Sequence, residues 1–146
     1  MAKRNLAELK IPAAPEFIPV AKRVAVTLGG QLGLSLMDLD ELSIALTQAC
    51  DSAIGAAEDL GTPADLKLTY FATNRALVVD VDLMPTGSAL PVHLQEHEHE
   101  HHEPHPDPEL QRLAYEMIRC FVDDFRPVIE PRTGHVRFRM VKHLAG

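Results

Sequence analysis

Two groups of polar side chains in this sequence have types and spacings that could do chemistry. Gln48, Asp51 and Ser52 lie three and four positions apart inside the apolar-periodic stretch 38–58. Side chains at this spacing share one side of a helix, so the three can face a single site. The second group is a run of histidines that alternate with carboxylates over residues 93–105.

The histidine run supplies ligands that transition metals prefer. At extended spacing His97, His99 and His101 project from one side, and His102 and His105 are near enough to fold back. Neutral imidazoles bind Zn²⁺, Ni²⁺ or Cu²⁺, and about three or four of them suffice for a site. The pattern is compositional only, so a solvated segment that its charges keep extended is the alternative.

Composition limits the classes of function. The 146 residues, 46% hydrophobic and 24% charged, are predicted to form one globular domain. The net charge of −7 argues against direct nucleic-acid binding, which needs clustered Lys and Arg. No apolar run reaches the roughly 20 residues that span a bilayer, and the N-terminus does not fit a signal peptide. Cys50 and Cys120 fall on apolar helix faces, which favours buried free thiols in a cytoplasmic protein.

Hydrophobic periodicity predicts the elements that must position these residues. In chain order they are a strand (6–11), two helices (15–32 and 38–58), a hairpin (65–73 and 76–84), a helix (109–122) and a second hairpin (125–131 and 135–141). Five strands, mostly antiparallel, with three helices on one face make an α+β two-layer sandwich. We expect a single domain, 1–146, with a His/Glu-rich insertion at about 88–108.

The order, spacing and length of these elements resemble the anti-sigma-factor serine kinases of bacteria. These belong to the GHKL superfamily, which has the Bergerat, or histidine kinase-like ATPase, fold. The segments that carry the resemblance are LKIPAAPEFIPVAKRVA, DLDELSIALTQACDSAI, LVVDVDL and EMIRCFVDDF followed by TGHVRFRMVKHL. The resemblance implies ATP and Mg²⁺ bound beneath a lid, a serine of an anti-anti-sigma partner as substrate, a sequestered sigma factor, and a homodimer.

The sequence departs from the family pattern at each chemical position. Gln48 replaces the acid that orients or deprotonates the attacking hydroxyl, and an amide accepts no proton at pH 7. Ser52 replaces the asparagine that holds Mg²⁺ and is a weaker ligand. Leu83 falls at the adenine-binding aspartate, a role that a one-residue bulge could give to Asp82. Gly87 is the glycine left in that motif.

The phosphate-binding loop of the family falls at residues 112–115, which contain no glycine. We therefore expect an anti-sigma-factor-like regulator that binds a sigma factor or an anti-anti-sigma partner without efficient phosphoryl transfer and without catalytic residues. One alternative is an active serine kinase that binds ATP and Mg²⁺ through Gln48, Ser52, Asp82 and Gly87. The other is a metal-binding or metal-sensing regulator that holds Zn²⁺ or Ni²⁺ in the histidine run.

Overall fold

The order of the elements in the computed structural model is the predicted one. The structure describes residues 3–86, 108–130, 133 and 135–144. Its elements are β1 (Arg4–Pro12), a 3-10 turn (Pro15–Phe17), α1 (Ile18–Gln31), α2 (Leu36–Leu60), β2 (Ala64–Ala72), β3 (Ala76–Pro85), α3 (Pro108–Phe121), β4 (Asp124–Glu130) and β5 (His135–His143). The α+β class is confirmed.

The longest helix, α2, has a defined cap at each end. The Oγ of Ser35 accepts a hydrogen bond from the backbone N–H of Asp38 at 3.1 Å. Gly61 ends the helix in the left-handed region, at φ 73°, where its N–H donates to the carbonyls of Ala57 and Glu58. Between these caps, α2 is two residues longer at each end than the periodic stretch 38–58.

The described strands form one antiparallel sheet in the order β1-β2-β3-β5-β4. Strand β3 lies in the middle and pairs with β2 and β5. Its register with β2 is regular from the pair Ala64–Pro85 to the pair Ala72–Leu77. Because side chains alternate along a strand, this regularity decides which β3 residues face the helices.

The three helices pack on one face of the sheet and enclose the main core. Its fully or almost fully buried side chains come from every layer and include Leu42, Leu46, Leu66, Leu68, Val79, Val81, Ile118, Phe138 and Met140. Two polar side chains, those of Tyr70 and Lys142, also lie in this core, and both are hydrogen-bonded. The hydroxyl of Tyr70 donates to the carbonyl of Ala21 at 2.9 Å. The ammonium of Lys142 contacts the carboxylate of Glu41 at 2.7 Å and the carbonyl of Phe121 at 2.9 Å.

The two cysteines differ in their surroundings. Cys50 is buried and Cys120 is exposed, and both are free thiols. The prediction of a buried thiol is confirmed for Cys50 and wrong for Cys120. Helix α3 lies at the margin of the helix layer and buries one residue, Ile118, so most of its periodic apolar positions stay accessible. Within the described ranges, no helix is long and apolar enough to cross a membrane.

Candidate functional site

A cavity of about 540 Å³ opens between α2, α3 and the end of the β4–β5 hairpin. Its described lining consists of Asp51, Ser52, Gly55, Ala56, Asp59, Leu60, Pro108, Leu110, Gln111, Ala114, Ile129, Glu130 and Val136. Small residues on both helices leave this space open. A Cβ added at Gly55 would meet no atom within 4 Å, and Ala56 and Ala114 carry only a methyl group.

The polar part of this lining is acidic. Asp51, Asp59 and Glu130 contribute carboxylates, Ser52 a hydroxyl and Gln111 an amide. Among the described lining residues there is no Lys, Arg or His. Like charges raise the energy of a bound anion, most of all in a concave site with an apolar wall. The cavity therefore suits neutral or cationic groups better than phosphates.

The carboxylates do not form a metal centre. In the part of the chain that the structure describes, no group of three or more His, Cys, Asp or Glu side chains could hold a metal ion. Hard cations such as Mg²⁺ need several oxygens that converge on one point. A metal ion at this cavity would therefore need ligands beyond those that the described residues supply.

Helix α2 brings only part of the predicted polar group to the cavity. Asp51 and Ser52 line it, whereas Gln48, one turn closer to the start of the helix, does not. Gln48 and Ser52 are both half-buried. The position that the resemblance gives to the catalytic acid thus lies outside the cavity lining, while the Mg²⁺-ligand position lies in it.

Asp82 is on the opposite face of the sheet from Ser52. Its neighbours Val81 and Leu83 face the helices and are buried, so the alternation of the strand turns Asp82 away from them. The Nε of Arg137 donates to Oδ1 of Asp82 at 2.7 Å, and this hydrogen bond raises the pKa of the guanidinium. The regular β2–β3 register contains no bulge that could turn Asp82 toward the helices. Asp82 is therefore on the other face of the sheet from Ser52, and its role as an adenine ligand stays a prediction.

Residues 112–115 form the middle of α3 and not a loop. Backbone N–H groups inside a helix donate to carbonyls one turn earlier, so they are not free to bind phosphate. Tyr115 packs its ring edge-on against Phe125 and Phe138, with centroid distances of 5.4 and 5.7 Å. Its hydroxyl accepts a hydrogen bond from the Nε2 of Gln111 at 3.0 Å, and burial raises its pKa. This segment anchors α3 to the sheet.

The remaining predicted site residues fall outside the described part of the chain. They are Gly87, His97, His99, His101, His102 and His105. The insertion predicted at about 88–108 lies outside it as well, except for Pro108, which begins α3. The metal hypothesis therefore stays a prediction from composition.

An apolar stripe on α3 continues from the cavity to the surface. Leu110, Leu113 and Met117 are 62%, 59% and 43% exposed, and their spacing places them on one side of the helix. Leu110 also lines the cavity, together with Ile129, which is 46% exposed. Helix α3 thus presents accessible apolar side chains beside the cavity, and we call Leu110, Leu113 and Met117 the α3 stripe.

Three polar residues of the cavity, Asp59, Gln111 and Glu130, were not predicted from the sequence. Asp59 follows Ser52 by seven positions, with Gly55 between them, so helical spacing alone could have placed it on the same side. Gln111 and Glu130 offer no such signal, because they come from elements whose distance from α2 depends on the order of the strands.

Comparison with known proteins adds no family to these observations. No family model matches the chain, and no curated protein matches it. The resemblance to anti-sigma-factor kinases therefore stays a hypothesis. Function has to be inferred from the cavity and the surface around it.

Proposed function

We propose that this protein is a cytoplasmic regulator of the anti-sigma-factor type, a GHKL-like sandwich that binds a protein partner without efficient phosphoryl transfer. The partner is a sigma factor or an anti-anti-sigma protein, as the resemblance implies. The observation that carries the proposal is the cavity between α2 and α3. Its described lining is apolar and acidic and contains no cationic side chain.

The charges of this lining oppose the binding of a nucleotide. A triphosphate would meet the carboxylates of Asp51, Asp59 and Glu130. Like charges near a bound anion oppose its binding, although solvent weakens the effect for Asp51 and Glu130, which are exposed. Gln48 supplies no base, and Asp82 is engaged with Arg137 on the other face of the sheet. Among the described residues, the cavity thus offers phosphate no cationic side chain, and the family's base position is held by an amide.

The same lining favours a protein segment of a particular chemistry. The α3 stripe offers Leu110, Leu113 and Met117, and the cavity beside it offers carboxylates. An amphipathic helix of the partner, apolar on one side and flanked by Lys or Arg, would satisfy both. Apolar anchors at the centre of such an interface carry most of the affinity.

Affinity measurements with purified partners test the proposal. We expect the protein to bind a sigma factor or an anti-anti-sigma protein of its source organism, and Leu113→Asp to weaken binding at least about 100-fold, the size of a hot-spot loss. Val26→Asp on α1 is the matched control, since Val26 is also a partly exposed apolar residue, 37% accessible, on another helix. If folded wild-type protein binds neither class of partner, the proposal fails.

Calorimetry with ATP and Mg²⁺ separates this proposal from the kinase alternative. We expect no nucleotide binding at about millimolar concentration, the weakest affinity that such a site would need. Binding of Mg·ATP together with transfer of labelled phosphate to the anti-anti-sigma protein would replace the proposal by the active kinase.

A further inference from the structure

We propose that the cavity between α2, α3 and the β4–β5 hairpin is a binding site for an amphipathic organic cation, a small molecule with an apolar body and one ammonium group. Such a ligand would bind this chain alone, so the site does not depend on the proposed protein partner. Three features point to it. They are a glycine that the described packing does not explain, the carboxylates around that glycine, and the apolar walls of the cavity.

The first feature is Gly55, in the interior of α2. The backbone there is a right-handed helix, so no turn requires a glycine. A Cβ added at this position would meet no described atom within 4 Å, so no described packing contact requires one either. Gly29 of α1 is different, because a Cβ there would meet the side chains of Leu39 at 2.7 Å and Leu34 at 2.9 Å. Glycine destabilises a helix interior relative to alanine, and it allows a ligand to approach the backbone closely.

The second feature is a pair of carboxylates, one on each side of Gly55. Asp51 precedes Gly55 by one helical turn and Asp59 follows it by one turn, and all three line the cavity. Side chains four positions apart lie on the same side of a helix, so these residues form a row along α2. An ammonium group that lies against Gly55 is therefore within about 6 Å of the Cβ atoms of both aspartates. It occupies the space that a side chain at position 55 would fill.

The third feature is the apolar lining beside this row. It comes from the neighbouring row of α2, from the facing side of α3 and from the hairpin, and consists of Ala56, Leu60, Leu110, Ala114, Ile129 and Val136. The volume of about 540 Å³ is within the range of small-molecule sites. An apolar body can therefore lie against these walls, out of water, while its charged end lies at the aspartates.

The charges of the lining select the class of ligand. Asp51, Asp59 and Glu130 are acidic, and no described lining residue is basic. The lining would repel an anion, and an uncharged molecule would make no use of the carboxylates. A metal ion needs several converging oxygens, which the described residues do not supply, whereas an ammonium group donates hydrogen bonds in several directions. An ammonium group on an apolar body therefore fits both parts of the lining.

A ligand in this cavity would also regulate the proposed function. Leu110 belongs both to the cavity and to the α3 stripe. A bound cation would cover Leu110 and would neutralise part of the charge that attracts Lys or Arg residues of a protein partner. This consequence rests on the proposed function, and it predicts that the ligand and the partner compete. Binding of the ligand to the chain alone does not rest on it, so the two are tested separately.

Calorimetry with three molecules that share one apolar body tests the class of ligand. The probes are phenylbutylamine, phenylbutanol and phenylbutanoate, which are cationic, neutral and anionic at pH 7. At about 20 mM salt, where charges are weakly screened, the amine should bind with a Kd below about 1 mM and at least about tenfold more tightly than the alcohol. The carboxylate should bind most weakly. The double variant Asp51→Asn with Asp59→Asn should reduce the preference for the amine and leave the affinity for the alcohol unchanged, a result that misfolding would not give.

A side chain at position 55 tests the location. Gly55→Leu should abolish binding of both the amine and the alcohol, because the leucine would occupy the cavity. Leucine is also a better helix former than glycine, so we expect this variant to fold. Gly30→Leu is the matched control, since Gly30 also lies on a helix, has no described atom within 4 Å of an added Cβ and is outside the cavity lining. It should leave binding unchanged, and melting temperatures of both variants verify that they are folded.

Three results would overturn the proposal. The first is no binding of the amine at about millimolar concentration. The second is a carboxylate that binds as tightly as the amine, since the acidic lining would then not select the ligand. The third is binding that survives Gly55→Leu, which would place the ligand elsewhere. If the amine binds but does not displace a sigma factor or an anti-anti-sigma protein, the cation site stands and the use of this cavity by the partner is refuted.

Discussion

The two sides of the central strand β3 are both buried, but by different means. Toward the helices, Leu77, Val79, Val81 and Leu83 are buried in the main core. Away from the helices, Asp80 and Asp82 are 4% and 5% exposed, although no described helix covers that face. One side is closed by apolar packing against a second layer, and the other by long side chains from the sheet itself.

Arginines of the neighbouring strand close the open face. Arg139 forms two hydrogen bonds to the carboxylate of Asp80, both 2.8 Å long. Its guanidinium also lies over the ring of Phe71, 5.3 Å from the centroid. The stems of such side chains cover the strand while the charged ends pair. The carboxylates of Asp80 and Asp82, the second of which the sequence offered as a candidate ligand, are thus paired with arginines that cover this face of the sheet.

The largest effect on stability should come from the face of the sheet that the helices cover. Leu83→Ala should lower the free energy of unfolding by about 3 kcal/mol, because it removes a fully buried side chain and leaves a cavity. Met84→Ala is the matched control on the other side of the same strand, where Met84 is 40% exposed, and should cost less than about 1 kcal/mol. Urea denaturation measures both. Equal losses would mean that the helix layer does not distinguish the two faces.

A smaller loss of stability should follow from removing an ion pair on the face of the sheet without helices. Asp80→Ala should cost about 2 kcal/mol, because it leaves the guanidinium of Arg139 without its bidentate partner. A double-mutant cycle with Arg139→Ala measures the coupling between the two. The exposed pair Asp124 and Arg126, only 2.8 Å apart, is the control and should couple by less than about 1 kcal/mol. If the two couplings are the same, burial of the carboxylate adds nothing.

The fold could be predicted because the spacing of apolar residues within each segment distinguishes a helix from a strand. Alternation along β2 and β3 assigned Leu66, Leu68 and Tyr70 to the inner face, and all three are buried. By the same alternation, Asp82 follows the inward-facing Val81 and therefore lies on the face of the sheet away from the helices. The bulge that would have reversed it came from the resemblance and not from the strand. Local pattern was the better guide there because strand register is fixed by burial on one face.

The candidate site was less predictable because it lies between elements. Ser52 could be placed on one side of α2, but the distance from α2 to Glu130 depends on β4 being the outermost strand. Cys120 fits the apolar face of α3 by spacing, yet it is exposed. A helix at the margin of a layer buries a narrower stripe than its sequence offers, and nothing in the local pattern marks that margin.

Alkaline pH should lower the stability of the fold through Cys50, which is buried on the helix-covered face of the sheet. Burial raises the pKa of this thiol from 9.0 to about 12, and the charge of Asp51 adds to the shift. The folded state therefore keeps a proton that the unfolded chain loses above pH 9. The stability from this group is complete below pH 9 and falls as pH rises toward 12, by about 1.4 kcal/mol at pH 10.

Two alanine variants isolate this effect. Cys50→Ala should flatten the decline in stability between pH 8 and pH 10, whatever its stability at neutral pH. Cys120→Ala should leave the decline as in the wild type, because that thiol is exposed. Denaturation curves at each pH provide the measurement. An unchanged slope in Cys50→Ala would show that the thiol titrates equally in both states.

The smallest effect should come from Tyr70→Phe, which removes one hydroxyl from the covered face. We expect a loss of about 1 kcal/mol, because the variant loses the buried hydrogen bond from the hydroxyl to the carbonyl of Ala21. Tyr115→Phe is the control, since its hydroxyl accepts from the side chain of Gln111 near the surface, and it should change stability by less than about 0.5 kcal/mol.

Amide hydrogen exchange would show where the loss from Tyr70→Phe acts. Helix α1 buries only Ile18 and three small residues, Ala21, Ala25 and Gly29, so its apolar contact with the sheet is limited. The hydrogen bond from Tyr70 should then contribute a large share of its attachment. We expect faster exchange in α1 than in α2 in this variant. A uniform increase over both helices would mean that α1 is held by packing alone and that the covered face responds as one unit.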